Sequence, residues 1–180
     1  KVLLKPKKCY LFHTRIPKFV LKIMDFVIRR GKKADCLRTL ELICELAEYE
    51  KAPEEVAITL KELEEDGFGE NSIYELVVAE QKGEIIGVAI FYEKYSTWKG
   101  KCVYLEDLIV TESKRGIGAG KALFEAVISF AKEHNSGRME WQVFDWNTPA
   151  IDFYKSYNAE LDGTWYNGRF TKEQLQNMNL

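Results

Sequence analysis

Between Tyr104 and Lys121 the chain reads Tyr104-Leu105-Glu106-Asp107-Leu108-Ile109-Val110 and then Arg115-Gly116-Ile117-Gly118-Ala119-Gly120-Lys121, an apolar strand pattern that runs into a glycine-rich turn and a helix start. Such a turn lets successive backbone N–H groups converge on one point, and the helix start adds about half a positive charge, so the pair suits a pyrophosphate. Glycine is needed there because a Cβ blocks backbone approach and disfavours positive φ. Two common phosphate motifs fail. A P-loop would need glycine where Arg115 stands and Ser or Thr where Ala122 stands. A dinucleotide fingerprint started at Gly116 or Gly118 would end on Lys121 or Leu123 instead of glycine.

The spacing of Arg115, Gly118 and Gly120 resembles the acetyl-CoA signature of the GNAT superfamily of N-acetyltransferases. Further ordered segments carry the same resemblance: Glu45-Leu46-Ala47-Glu48-Tyr49-Glu50, Glu65-Asp66-Gly67-Phe68-Gly69, Tyr104 to Asp107, and Trp146-Asn147 through Phe153-Tyr154-Lys155. The resemblance covers essentially all of residues 24 to 180 and looks most like the spermidine/spermine (diamine) group. Within it, Tyr95-Ser96-Thr97-Trp98-Lys99-Gly100 is similar to the thialysine branch. The polyamine-specific branch carries Asp-Pro where Ser96-Thr97 stands, so a partner for a second ammonium is missing here.

The resemblance implies acetyl transfer from acetyl-CoA to a primary amine of a small basic molecule, a short diamine or polyamine or a thialysine-like amino acid, with no metal. It implies that Arg115, Gly116, Ile117, Gly118, Ala119, Gly120 and Lys121 hold the diphosphate, that backbone N–H groups at Leu108 and Val110 polarise the carbonyl, and that Asn147 contacts CoA. Tyr154 then protonates the departing sulfur. An amine with a pKa near that of lysine is mostly protonated at pH 7, so a base is required. Glu106 is the expected acceptor of that proton, with Asp107 helping to bind the amine. Ser96, Thr97 and Trp98 are the expected acceptor-side residues, Trp98 through cation–π attraction. Simple alternation would send Glu106 and Asp107 to opposite sheet faces. Glu48 and Glu50 read as a solvated helix end, and Cys102 has no histidine near it in sequence to make it a nucleophile. Two alternatives use the same residues: a protein lysine or N-terminal acetyltransferase, and a CoA-binding sensor without turnover.

The elements that must position these residues follow from periodicity. Apolar residues Leu37, Leu40, Ile43, Cys44, Leu46 and Ala47 predict a helix over 35–49, and the capping-box form of Thr59 to Glu62 predicts a second one ending at Gly67. Strands are expected near 26–29, 73–80, 84–95, 102–110 and 138–144, with helices at 118–134 and 149–157. Two further strands are expected between 158 and 170, and a capped helix after Thr171. The implied α+β (α/β) fold is a central, mainly antiparallel mixed sheet flanked by helices and splayed between its fourth and fifth strands.

Composition bounds the rest. A chain of 180 residues with 46% hydrophobic content can bury one core. Residues 1–23 hold seven Lys or Arg and no acid, so all 28 acidic residues lie in the remainder against 19 basic ones. We therefore expect a basic extension over 1–23 and one acetyltransferase domain over 24–180. An acidic body argues against nucleic acid as partner. With no apolar run of spanning length, a membrane role is not expected. Four scattered cysteines and two histidines offer neither a metal set nor a disulfide framework and suit the cytoplasm. By resemblance the protein is a homodimer.

Overall fold

The computed structural model describes residues 25–180, so the basic extension and the expected start at Met24 lie outside the described residues. Of the described residues, 25–140 form one compact unit and Trp141–Leu180 a second.

The first unit is a five-stranded sheet in the order β1-β2-β3-β4-β5, from Val27–Arg30, Glu75–Gln81, Glu84–Ser96, Gly100–Val110 and Arg138–Glu140. The first three pairings are antiparallel and β4–β5 is parallel, giving the expected mixed sheet. Alternation sorts the strands into two apolar faces. On one, Leu76, Val78, Val88, Ile90 and Ile109 pack with Leu42 of α1 (Cys36–Tyr49). On the other, Phe91 meets Phe130 of α3 (Ala119–Glu133) at 4.9 Å between ring centroids. Leu123 and Val127 of the same helix are fully buried.

The buried stripe of α1 is rotated from the one its apolar residues suggest. Cys36, Thr39, Leu42 and Ala47 are buried, whereas Leu37 and Cys44 are exposed. Thr39 tolerates burial because its hydroxyl donates to the Asp35 carbonyl at 2.9 Å. The predicted capping box starts α2 (Leu60–Phe68): Thr59 Oγ1 accepts from the Glu62 N–H and the Glu62 carboxylate accepts from the Thr59 N–H. The helix runs on to Phe68 instead of stopping at Gly67, which lies against the Tyr74 ring where a side chain has no room. Tyr74 donates to the Leu63 carbonyl at 2.6 Å.

The strand expected over 138–144 pairs only at Arg138–Glu140. In the second unit Asn147 caps α4 (Thr148–Lys155) by accepting from the Ala150 N–H at 3.3 Å, with Pro149 in the first turn. The expected strands between 158 and 170 do not form. Asp162 there accepts from the Thr164 N–H, the Thr164 hydroxyl and Trp165 Nε1, which fixes a local turn in place of an extended ladder. Thr171 caps α5 (Lys172–Asn177) as its sequence predicts. Among the described residues no helix is long and apolar enough to cross a membrane.

Candidate functional site

The register of β4 against β3 breaks at one residue. Ile90 pairs with Asp107 and Phe91 with Leu105, leaving Glu106 as the extra residue of a β-bulge. The pairing puts Asp107 on the face of Ile90, opposite to Leu105. Glu106 turns to that same face, where it hydrogen-bonds the Tyr92 hydroxyl and lies near Tyr104. The expectation that the two carboxylates oppose each other across the sheet is thus overturned: the bulge sets them side by side.

Their environments differ. Glu106 is exposed, whereas Asp107 is half-buried and its carboxyl is pushed up to about 6 by burial, then by Glu106 and by Glu50. Glu50, at the end of α1, is itself half-buried and raised by that burial. Its sequence context alone reads as a solvated helix end; the packing of α1 on the sheet brings it to Asp107. The rings of Tyr92 and Tyr104 lie tilted against each other beside the bulge with centroids 5.4 Å apart, and burial, then Glu106, pushes the Tyr92 hydroxyl up to about 12. Neither tyrosine carries a signal in the sequence that sets it apart from an ordinary strand aromatic.

The same strand has a free edge. The Thr111 N–H donates to Ile86 on β3, and successive N–H groups alternate between edges, so those of Val110 and Leu108 point off the other side. On that side β5 pairs with Cys102, Val103 and Tyr104 only. Among the described residues no strand pairs with this edge from Leu105 to Val110, because β5 ends at Glu140.

Beyond the edge lies the glycine turn. Gly116 and Gly118 have φ of 82° and 90°, the left-handed region, and space around Gly116 is open. Gly118 is the N-cap of α3 and offers no side-chain acceptor, and the first turn of α3 has no acid. The first internal bond runs from the Ala122 N–H to the Gly118 carbonyl at 3.0 Å, so the N–H groups of Ala119, Gly120 and Lys121 have no intrahelical acceptor. Arg115 is held by its Nε on the Val110 carbonyl at 3.0 Å and by its guanidinium 5.3 Å over the Tyr49 ring. Ile117 is exposed, and Lys121 is exposed with Glu125 at 3.9 Å. A polyphosphate fits this cradle: the first N–H groups of α3 lack intrahelical acceptors, and the first turn of the helix carries no acid.

At the β3–β4 hairpin, Ser96 accepts from the Trp98 and Lys99 N–H groups at 3.2 and 3.3 Å. Trp98 is 81% exposed, so it is not a buried loop anchor, and Thr97 is exposed beside it. In the second unit, Tyr154 is buried on α4 with its ring 4.7 Å from that of Trp141, and burial pushes its hydroxyl up to about 12. Among the described residues no group of His, Cys, Asp and Glu is arranged to hold a metal ion.

Residues 34–158 match the family described as Acetyltransferase (GNAT) family. The chain belongs to that family. The thialysine N-epsilon-acetyltransferase of Bos taurus is 39% identical over 168 residues, covering 86% of this chain and 98% of the relative. The spermidine/spermine N(1)-acetyltransferase-like protein 1 of Homo sapiens is 32% identical over 85% of this chain, which spans 24% of that longer protein. Among solved structures, the integron cassette protein VCH_CASS6 from V. cholerae superposes with a TM-score of 0.69 at 28% identity, over 85% of this chain and 96% of the other. The chain is therefore a GNAT N-acetyltransferase with an α+β fold, and the family implies acetyl-CoA as co-substrate.

Proposed function

We propose that the chain acetylates a primary amine of a small basic molecule, either a short diamine or a lysine-like amino acid such as thialysine. The observation that carries this reading is the bulge at Glu106, which aims two adjacent carboxylates at one face of β4 beside its unpaired edge. The names of the relatives at 39% and 32% identity support the same substrate class.

Acetyl-CoA supplies the acetyl group as a thioester. The N–H groups of Gly116 to Lys121 and the Arg115 guanidinium hold its diphosphate, and the outward N–H groups of Leu108 and Val110 donate to the thioester carbonyl, where negative charge grows during attack. Asn147, while capping α4, also contacts CoA. Glu106 takes the proton from the bound ammonium, directly or through water. Asp107, whose carboxyl burial pushes up to about 6, is still mostly ionised at pH 7 and helps to bind the ammonium. The Tyr154 hydroxyl stays protonated through the neutral range, so it can donate a hydrogen bond and then the proton to the leaving sulfur. Ser96, Thr97 and Trp98 border the far end of the acceptor. We further propose a homodimer in the cytoplasm, for which the exposed Trp165, Tyr166 and Phe170 offer apolar surface.

The test is thiol release from acetyl-CoA with putrescine, spermidine, thialysine, lysine and a lysine peptide. Release with the small amines, and little with the peptide, is the expected result; none with any amine overturns the reading. Tyr154→Phe should lower kcat at least tenfold, about 1.4 kcal/mol of barrier, with acetyl-CoA affinity unchanged. Full turnover in that variant removes Tyr154 from the acid role.

A further inference from the structure

The face of the sheet that carries Glu106 and Asp107 continues toward the β3–β4 hairpin, and its charge reverses on the way. Tyr92 pairs with Tyr104, and Lys94 with Cys102, on the face of Asp107. On β5, Arg138 lies beside Cys102 and Glu140 beside Tyr104. Lys94 Nζ is 2.9 Å from Glu140 Oε2 and 4.9 Å over the Tyr104 ring, and Arg138 Nη2 is 2.9 Å from Glu140 Oε1. One carboxylate thus serves two cations. Arg138 Nη2 also lies 3.4 Å from Ser96 Oγ, while its Nε is buried with no hydrogen-bond partner among the described residues. At the hairpin, the Ser96 hydroxyl accepts from two backbone N–H groups and is approached by the Arg138 guanidinium.

We propose that Lys94, backed by Arg138, is a specificity-determining residue that receives the carboxylate of an amino-acid acceptor whose side-chain amine lies at Glu106 and Asp107. The proposal rests on the amine-acetyltransferase reading above and narrows its substrate class. Tyr104 and Glu106 are two residues apart on β4, about 7 Å at roughly 3.3 Å per residue, a span comparable with the extended side chain of lysine. An acceptor with a negative head and a positive tail meets opposite charges at both ends. A diamine places its second ammonium against Lys94, where like charges repel across a partly desolvated surface.

The test compares kcat/KM for lysine, for cadaverine, which lacks its carboxylate, and for lysinamide, in which the carboxylate is neutralised. Native protein should prefer lysine over both by tenfold or more. Lys94→Met keeps the length of the side chain and leaves Glu140 paired with Arg138; it should cut the ratio of lysine to cadaverine about tenfold, with acetyl-CoA affinity by calorimetry unchanged. Lys94→Glu should invert the preference toward cadaverine. An unchanged ratio in both variants, in protein that turns over normally, overturns the role of Lys94 and leaves the amine acetyltransferase standing. Absence of thiol release with all three acceptors and with the wider amine panel overturns both.

Discussion

The glycine turn at residues 115–121 and the bulge at 106–107 are neighbours in sequence but encode their chemistry in different ways. The turn works through backbone: two positive φ angles and three N–H groups without an intrahelical acceptor at the start of α3, all set by residues within a few positions of one another. The bulge works through side chains, and which face those side chains take depends on β3, where Ile90 and Phe91 meet Asp107 and Leu105 with one residue to spare. Changes at the turn should therefore alter how firmly the co-substrate is held, and changes at the bulge should alter proton handling and acceptor binding.

The largest effect expected from this division is at the bulge. Glu106→Gln keeps shape and hydrogen-bonding capacity while removing the base, and loss of general base catalysis commonly costs two orders of magnitude or more. We expect kcat/KM for the amine at pH 7 to fall about 100-fold, about 2.7 kcal/mol, with acetyl-CoA affinity unchanged. The deficit should shrink as pH approaches the free amine's own pKa of about 10.4, where solvent supplies the neutral nucleophile. A parallel loss of acetyl-CoA affinity, read by calorimetry, would break the division into two functional regions.

Gly118→Val gives the converse result. A β-branched residue is strained at a φ of 90°, so the turn must rearrange or store about 1–3 kcal/mol. Acetyl-CoA affinity should drop at least tenfold, while kcat at saturating co-substrate stays within about threefold, because the bulge is untouched. A fall in kcat with affinity intact would mean that the turn acts on chemistry and not on holding.

The same contrast explains what could be read from the sequence. The turn, the caps at Thr59 and Thr171, and the three long strands are local features, and the structure reproduces them. The paired orientation of Glu106 and Asp107 was not legible, because alternation within one strand gives the wrong answer wherever a bulge adds a residue. Glu50 was missed for a related reason: its meaning comes from the docking of α1 on the sheet. The Lys94–Glu140–Arg138 group spans two strands far apart in sequence, and no spacing rule links them. Conversely, the aromatic run at 158–170 has the composition of strands, yet Asp162 and its turn claim the backbone first.

The smallest expected effect concerns the proton at the bulge. The Asp107 carboxyl is raised from 3.8 to about 6, first by burial, then by Glu106, then by Glu50. Because the folded value lies above the unfolded one, the folded state binds this proton more tightly. The stability it contributes is complete below pH 3.8 and is lost as pH rises through about 6. Asp107→Asn mimics the protonated group, so relative to native protein it should gain about 1–2 kcal/mol in stability between pH 4 and pH 8, measured by denaturant unfolding. Glu50→Gln removes only the last of the three causes. It should lower the Asp107 pKa modestly and stabilise the protein at pH 7 by about 0.5 kcal/mol, with no change at pH 3. It should also move the acid limb of kcat/KM to lower pH while leaving acetyl-CoA affinity alone. If the limb stays in place, Glu50 does not reach Asp107 electrically, and the end of α1 returns to being a solvated helix terminus.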